Sequence, residues 1–386
     1  MLNFRFQNQT EIIFGRDTEK TVGEEVAKYA KKVLIVSYGQ AFEKSLMDTV
    51  KDSLDKQGME YFELKGIKPN PEETKVQEGI ETVREKDIPF ILAVGGGSVI
   101  DTAKTIGVGA KYNGDFWDLF TGKPFSETLP TGVILTLPAT GSEASNAAII
   151  SNEELRSKCG ISHDIIRPKF AILNPELTFT LPAFQTSCGV VDMMSHVMER
   201  YFSNTNKTDL TDRLCEAILR SVMRNALILL EDPQDYDARA EIMWASTLAH
   251  NDLVGTGRSQ DWASHMIGHE LSAIYDSTHG ATLSVITPAW ARYVYKNNLS
   301  RFVQFAMRVF DVEYDIDDEG RTALEGIHRM EQFFRRLSMP TKMQELGINT
   351  DEKFEEMAKK ACRHGPLGDI RKLEAEDVYN IYKLAE

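Results

Sequence analysis

The chain has 386 residues, with 44 Lys+Arg against 58 Asp+Glu, a formal net charge of −14, 42% apolar residues and 26% charged residues. That composition is ordinary for a globular protein and excludes a disordered or collagen-like chain, and the length suggests two domains. The acidity argues against nucleic acid as the main partner, because phosphate binding needs a basic surface. No membrane span is expected: the uncharged stretch Thr128–Ser142 is broken by Pro130, Gly132 and Pro138 and is too short to cross a bilayer as a helix. The N-terminal segment lacks the basic region and apolar core of a signal peptide. Cys159, Cys188, Cys215 and Cys362 form no CxxC pair. A cytoplasmic protein with reduced thiols is therefore expected.

The first half alternates short β-branched runs with amphipathic ones. Lys32–Ser37 reads as a buried strand, Phe42–Gly58 as a helix with Leu46, Val50 and Leu54 on one face, and Glu60–Leu64 as a second strand. Glu73–Lys86 is a second helix, Pro89–Val94 a third strand, Ser98–Ala110 a third helix and Gly132–Leu137 a fourth strand. This alternation predicts a parallel sheet wrapped by helices, and the nearly continuous apolar strands fit burial on both faces. After Leu181-Pro182, helical patterns take over: Gln185–Tyr201, Thr208–Leu230, Ala238–Asn251, Trp262–Tyr275 and Thr322–Leu337. The expected division is an α/β domain over residues 1–182 and an all-helical domain over 183–386. The acidic run Asp311–Glu319 reads as a solvated loop.

Two clusters carry chemistry. Gly95-Gly96-Gly97-Ser98 sits where the third strand ends and a helix begins. Glycine permits close approach of the backbone to a ligand, and the helix N-terminus offers free N–H groups to an anion such as a pyrophosphate. The competing reading is a tight structural turn, and the run matches neither GxGxxG nor a P-loop. The second cluster lies in the helical half. Asp192 and His196 are four apart and share a helix face; His265 and His269 repeat that spacing; His279 precedes Gly280. Imidazole and carboxylate together suit Zn²⁺ or Fe²⁺. Each histidine taken singly is more often a packed or surface residue, and His163, His250, His328 and His364 keep that reading.

The order GGGSxxDxAK, then Asp-x₃-His, then His-x₃-His-x₉-His-Gly resembles the iron-containing (group III) alcohol dehydrogenase family, and within it the butanol dehydrogenase-like NAD(P)H-dependent branch. The resemblance runs over essentially the whole chain and includes Lys68-Pro-Asn-Pro71 and Pro138-Ala-Thr-Gly-Ser142. It implies a dinucleotide-binding α/β domain, an all-helical metal-binding domain and an active site in the cleft between them. It implies that Asp192, His196, His265 and His279 ligate one divalent metal, Fe²⁺ or Zn²⁺, and that His269 relays a proton. Gly95, Gly96, Gly97 and Ser98 match the family's pyrophosphate loop. Thr140, Ser142, Lys158 and Asn70 match positions lining the cofactor, and Tyr38 and Gly39 fall in the loop that reads its ribose.

The activity implied is an alcohol dehydrogenase or aldehyde reductase acting on short-chain alcohols and aldehydes of butanol or butanal type, in a cytoplasmic homodimer. The metal would polarise the substrate oxygen while hydride moves between the carbinol carbon and the nicotinamide. Ser37–Phe42 has no acid to bind a ribose 2′-OH, and it lacks most of the glycine-serine run of NADP-preferring members; NADP(H) is expected over NAD(H). The alternatives on the same fold are a glycerol dehydrogenase-type enzyme and a dehydroquinate synthase-type lyase. The lyase would need cations beside the metal, whereas CGVVDMMSHVM and ASHMIGHELSAIY carry none of the Lys or Arg required. A non-catalytic metal- or nucleotide-binding module fits an intact ligand set beside an intact phosphate loop least well.

Overall fold

The apolar runs of the first half become strands: β1 (Glu11–Phe14), β2 (Lys32–Ser37), β3 (Glu60–Leu64), β4 (Ile91–Gly95), β5 (Thr131–Leu135), a hairpin of β6 (Ala147–Asn152) and β7 (Ser157–Ser162), and β8 (Phe170–Leu173). The computed structural model describes residues 1–152 and 157–386. Six strands form one sheet in the order β1-β8-β5-β4-β2-β3, and every pairing in it is parallel. β4, β5 and β8 are buried along their whole length, which is why they read as unbroken apolar runs rather than alternating ones.

The crossovers of this unit carry α1 (Val22–Ala27), α2 (Lys44–Lys56), α3 (Glu73–Glu85) and α4 (Gly97–Lys111). α2 buries Met47, Val50 and Leu54, and α3 buries Val76, Ile80 and Val83, the stripes their spacing predicts. α4 is buried on nearly every side, including Lys104. The Lys104 ammonium donates to the carbonyls of Ser142, Ser145 and Ala147 and to the Ser142 hydroxyl. Burial pulls its pKa down to about 8, against the attraction of Asp101. These bonds fasten the segment after β5 to the helix that begins at the glycine run.

From β2 the chain steps to β3 at one edge, then returns to β4 on the other side of β2. The direction of winding therefore reverses between β2 and β4. In open parallel sheets, the crevice beyond the carboxyl ends of the strands at such a reversal is where ligands bind. Both the glycine run and the Tyr38–Gly39 loop leave the sheet there.

Among the described residues the second half is built from helices without strands: α5 (Ala183–Tyr201), α6 (Asp209–Glu231), α7 (Tyr236–His250), α8 (Ala263–Tyr275), α9 (His279–Val294), α10 (Leu299–Val309), α11 (Glu319–Arg336), α12 (Phe354–Ala361) and α13 (Ala375–Leu384). Their shared core includes Met193, Val197, Phe202, Leu219, Ile267, Trp290, Phe302 and Phe334. α9 was not expected as a helix: Ala281–Ala291 is buried on all sides, so it has no polar face to mark a period, and Pro288 lies inside it. The run Asp311–Asp318 is a loop, with Asp311 paired to Arg220 and Asp315 to Arg321.

The chain divides into two compact units, Gln7–Leu181 and Met1–Phe6 with Pro182–Glu386. The first six residues, which the sequence division places in the α/β half, thus pack with the helices. The Leu2 N–H donates to the Gly257 carbonyl at 2.8 Å, which holds this arm against the helical unit.

Candidate active site

In the helical unit, three helices bring four side chains to one point. Asp192 and His196 lie one turn apart on α5, His265 lies in the first turn of α8, and His279 opens α9. The Nε2 atoms of His196, His265 and His279 stand 3.3, 3.7 and 3.6 Å from Asp192 Oδ1. Asp192, His265 and His279 each offer a ligand atom within 4.8 Å of the others, and His196 joins them through Asp192. Two ligands of a tetrahedral dication bound at about 2.1 Å lie about 3.4 Å apart, so these separations fit a shared ion. Asp192 Oδ1 and His265 Nε2 are buried and accept or donate no hydrogen bond.

The orientation of His265 has a cause. Glu199, two turns along α5 from Asp192 and buried, places Oε1 2.9 Å from His265 Nδ1 and also accepts the His265 backbone N–H at 3.0 Å. A carboxylate on Nδ1 turns Nε2 toward Asp192 and makes it more basic. The start of α8 is itself tied to the end of α5, because the Asp261 N–H donates to the Glu199 carbonyl and Arg258 donates to the Arg200 carbonyl. Glu199 carries no spacing signal that would have singled it out, because its role comes from a neighbouring helix.

His250 departs from the bland reading. Its ring centroid lies 4.1 Å from that of His196, and Arg200 Nη2 stands 3.1 Å from its Nδ1. Trp262 closes the same group, 5.7 Å from His196 and under the Arg200 guanidinium. His269 is buried one turn beyond His265, with its ring 5.1 Å from that of His279. The electrostatics follow from burial and these neighbours. Burial opposes the charge of Asp192, yet the imidazoles of His196 and His279 hold its carboxyl well below the usual range. Burial, with His265 alongside, pulls His196 down to about 4.

The second cluster, in the α/β unit, is less simple than a bare phosphate cradle. A Cβ on Gly96 would stand 2.9 Å from the Tyr38 hydroxyl, and one on Gly97 would stand 2.6 Å from Thr140 Oγ1. The glycines are therefore required by the protein's own packing as well as by any ligand. The Gly96 N–H donates to the Tyr38 hydroxyl at 3.1 Å, and the phenol is pushed up to about 12 by burial. Gly95, Gly96, Gly97, Tyr38 and Thr140 thus form one contact group, and Ser98 lies in the first turn of α4. Ser142 sits deeper and donates to Asp101 Oδ1 at 2.6 Å. Lys158 donates to Asn70 Oδ1 at 3.0 Å, so those two expected cofactor residues hold each other. Gly39 takes a left-handed conformation with φ 71°.

The iron-containing alcohol dehydrogenase profile matches residues 9–175, and that of the C-terminal region of the Fe-containing alcohol dehydrogenase family matches residues 186–385. The chain belongs to this family. It is 41% identical to NADH-dependent butanol dehydrogenase A of Clostridium acetobutylicum, over 99% of both chains. It is 35% identical to the NADPH-dependent aldehyde reductase YqhD of Escherichia coli, over 100% of both. The crystal structure of NADH-dependent butanol dehydrogenase A from Thermotoga maritima superposes with a TM-score of 0.95 at 38% identity, covering 100% of this chain and 99% of that one. As an iron-containing alcohol dehydrogenase, the protein is an oxidoreductase that works with a metal and a nicotinamide cofactor. No helix among the described residues is long and apolar enough to cross a membrane.

Within this family member, Gly280 sets how close α9 can come to α5. A Cβ there would stand 2.3 Å from the Cys188 carbonyl oxygen, a backbone atom that cannot turn aside. Gly280→Ala should push the first turn of α9, and His279 with it, away from Asp192. The expected cost is about 1–3 kcal/mol, read as a lower denaturation midpoint, with bound metal reduced in the folded protein. A variant with wild-type midpoint and metal content would show that the contact is not limiting.

Proposed function

We propose that the protein is a metal-dependent aldehyde reductase and alcohol dehydrogenase for short-chain primary alcohols and aldehydes, with Asp192, His196, His265 and His279 as the ligands of one Fe²⁺ or Zn²⁺. The observation that carries the reading is the convergence of three imidazole Nε2 atoms on Asp192 Oδ1 at 3.3–3.7 Å. The butanol dehydrogenase and aldehyde reductase relatives supply the substrate class. When bound, the dication polarises the substrate oxygen and the nicotinamide carries the hydride.

The chain's own residues do the rest. Glu199 fixes the ring of His265 so that Nε2 faces Asp192. Arg200 and Trp262 hold His250 against His196. Gly95–Ser98, with Thr140 and Ser142, support the cofactor pyrophosphate at the start of α4, and Lys158 and Asn70 line its path. His269 delivers the proton that the product alcohol needs, since imidazole is the side chain best suited to proton transfer near neutral pH. Four free cysteines fit a cytoplasmic setting, and the homodimer expected from the family is checked by solution mass.

On the dinucleotide, the more similar of the two relatives is named NADH-dependent and the other NADPH-dependent. From the sequence alone, the absence of an acid between Ser37 and Phe42 points to NADP(H). Glu43, the next residue, is a buried carboxylate on the same loop and favours NAD(H).

The direct test is metal analysis together with oxidation of NADH or NADPH on adding butanal. Ala at Asp192, His196, His265 or His279 should lower metal content and turnover together, while His163→Ala and His328→Ala should change neither. Glu199→Gln should weaken metal retention by about 10–100-fold in a chelator competition. Full occupancy in His265→Ala would overturn the ligand assignment.

The proton role separates from metal binding. His269→Ala should keep its metal and its nucleotide affinity while turnover falls by about 10²–10⁴-fold, with partial recovery in added imidazole. Wild-type turnover in the metal-loaded variant would assign the proton to water.

A further inference from the structure

The loop that leaves β2 contains a feature the metal and phosphate clusters do not explain. Glu43 is 3% exposed, although Phe42 and Lys44 on either side of it are exposed. Its side chain folds back onto the loop, where Oε2 accepts the N–H of Gly39 at 2.7 Å and that of Gln40 at 3.2 Å. Its other oxygen, Oε1, is buried and has no hydrogen-bond partner. Burial raises the carboxyl pKa, while the Gln40, Gly39 and Tyr38 backbone amides oppose that rise.

This loop stands where a dinucleotide's adenosine ribose belongs. Ser37 at the end of β2 pairs with Val94 at the end of β4, directly before the glycine run. The Tyr38 hydroxyl bridges the two segments by accepting the Gly96 N–H. In parallel α/β sheets the pyrophosphate sits on the glycine turn, and the end of the adjoining strand reads the 2′ position of the ribose. A loop receptive to a 2′-phosphate would present free amides and a cation. Here two consecutive amides are already given to a carboxylate. Of the two exposed lysines at the loop, Lys65 pairs with Glu63 at 3.0 Å and Lys44 stands next to Glu43 itself.

We propose that Glu43 is the specificity residue of the cofactor site: its carboxylate takes the loop amides that a 2′-phosphate would need and repels that phosphate, so the enzyme selects NAD(H). This rests on the nicotinamide-dependent reading above. The group at the 2′ position is not the reacting part of the cofactor, so the selection acts on binding.

The test uses the metal-loaded full-length protein and two nucleotides that differ only by the 2′-phosphate, adenosine 5′-monophosphate and adenosine 2′,5′-bisphosphate, titrated by calorimetry. The wild-type protein should bind the monophosphate about tenfold or more tightly over the bisphosphate, as expected for a like charge at close range. Glu43→Gln keeps the shape and an acceptor oxygen but removes the charge. It should narrow that gap by about tenfold and shift the NADPH/NADH ratio of kcat/KM in the same direction. A carboxylate that only caps the turn would change the thermal midpoint and leave both ratios where they were. Should Glu43→Gln fail to fold by circular dichroism, Glu43→Ser gives a second neutral side chain for the same comparison. Equal or tighter binding of the bisphosphate by wild-type protein, unchanged discrimination in a folded neutral variant, or no binding of either nucleotide overturns the proposal. Intact discrimination without aldehyde turnover would instead strike the oxidoreductase reading and leave the role of Glu43 standing.

Discussion

One carboxylate oxygen sets the terms for the helical unit. Asp192 Oδ1 lies out of reach of bulk water with three imidazole nitrogens around it. Burying a charge is costly unless it is paired, and a carboxylate with three imidazole nitrogens around it is a donor set suited to a dication. The surrounding helices are arranged to make that grouping hold. α5 contributes two members a turn apart, α8 is tied to α5 through Asp261 and Arg258, and α9 can approach only because residue 280 has no side chain. Glu199 then turns the one ring that comes from α8. Packing, capping and ligand geometry at this point are the same set of contacts.

The α/β unit solves a different problem. Its sheet order reverses beside the glycine run, so the segments after β2, β4 and β5 meet at the carboxyl ends of the strands. The meeting is held by specific contacts. Tyr38 bonds to Gly96, Thr140 rests on Gly97, and the buried Lys104 ammonium ties the Ser142–Ala147 segment to α4. The loop is organised by polar groups of the chain itself.

Much of this was legible in the sequence, for identifiable reasons. β2, α2, α3 and the long helices α5–α8 have clean periods and appear where the spacing puts them, within a few residues at their ends. β1 and β8 were missed because each is only four residues long, too short for a period to show. α9 was missed because burial on every side erases its polar face. At the site, Asp192 and His196 could be paired from the helical repeat alone, whereas His265 and His279 could be joined to them only through the family pattern. Glu199 and His250 gave no signal, since both act across helix–helix contacts that have no fixed sequence spacing. Glu43 lies one residue beyond Ser37–Phe42, and only its back-folded side chain shows that it belongs to the same loop.

The arm formed by the first six residues changes how the molecule can be cut. Because Met1–Phe6 groups with Pro182–Glu386, the polypeptide enters the helical unit, leaves it for the whole of the α/β unit and comes back. A single break at the Leu181-Pro182 junction therefore does not yield two self-contained fragments. The C-terminal piece expressed alone would leave the Gly257 carbonyl without the Leu2 N–H it accepts. The N-terminal piece would carry Met1–Phe6 away from the unit they group with, and the Leu2 N–H would lose the Gly257 carbonyl it donates to. The helical unit is assembled from two stretches of sequence, and a circularly permuted chain that fuses residue 386 to residue 1 would make it continuous.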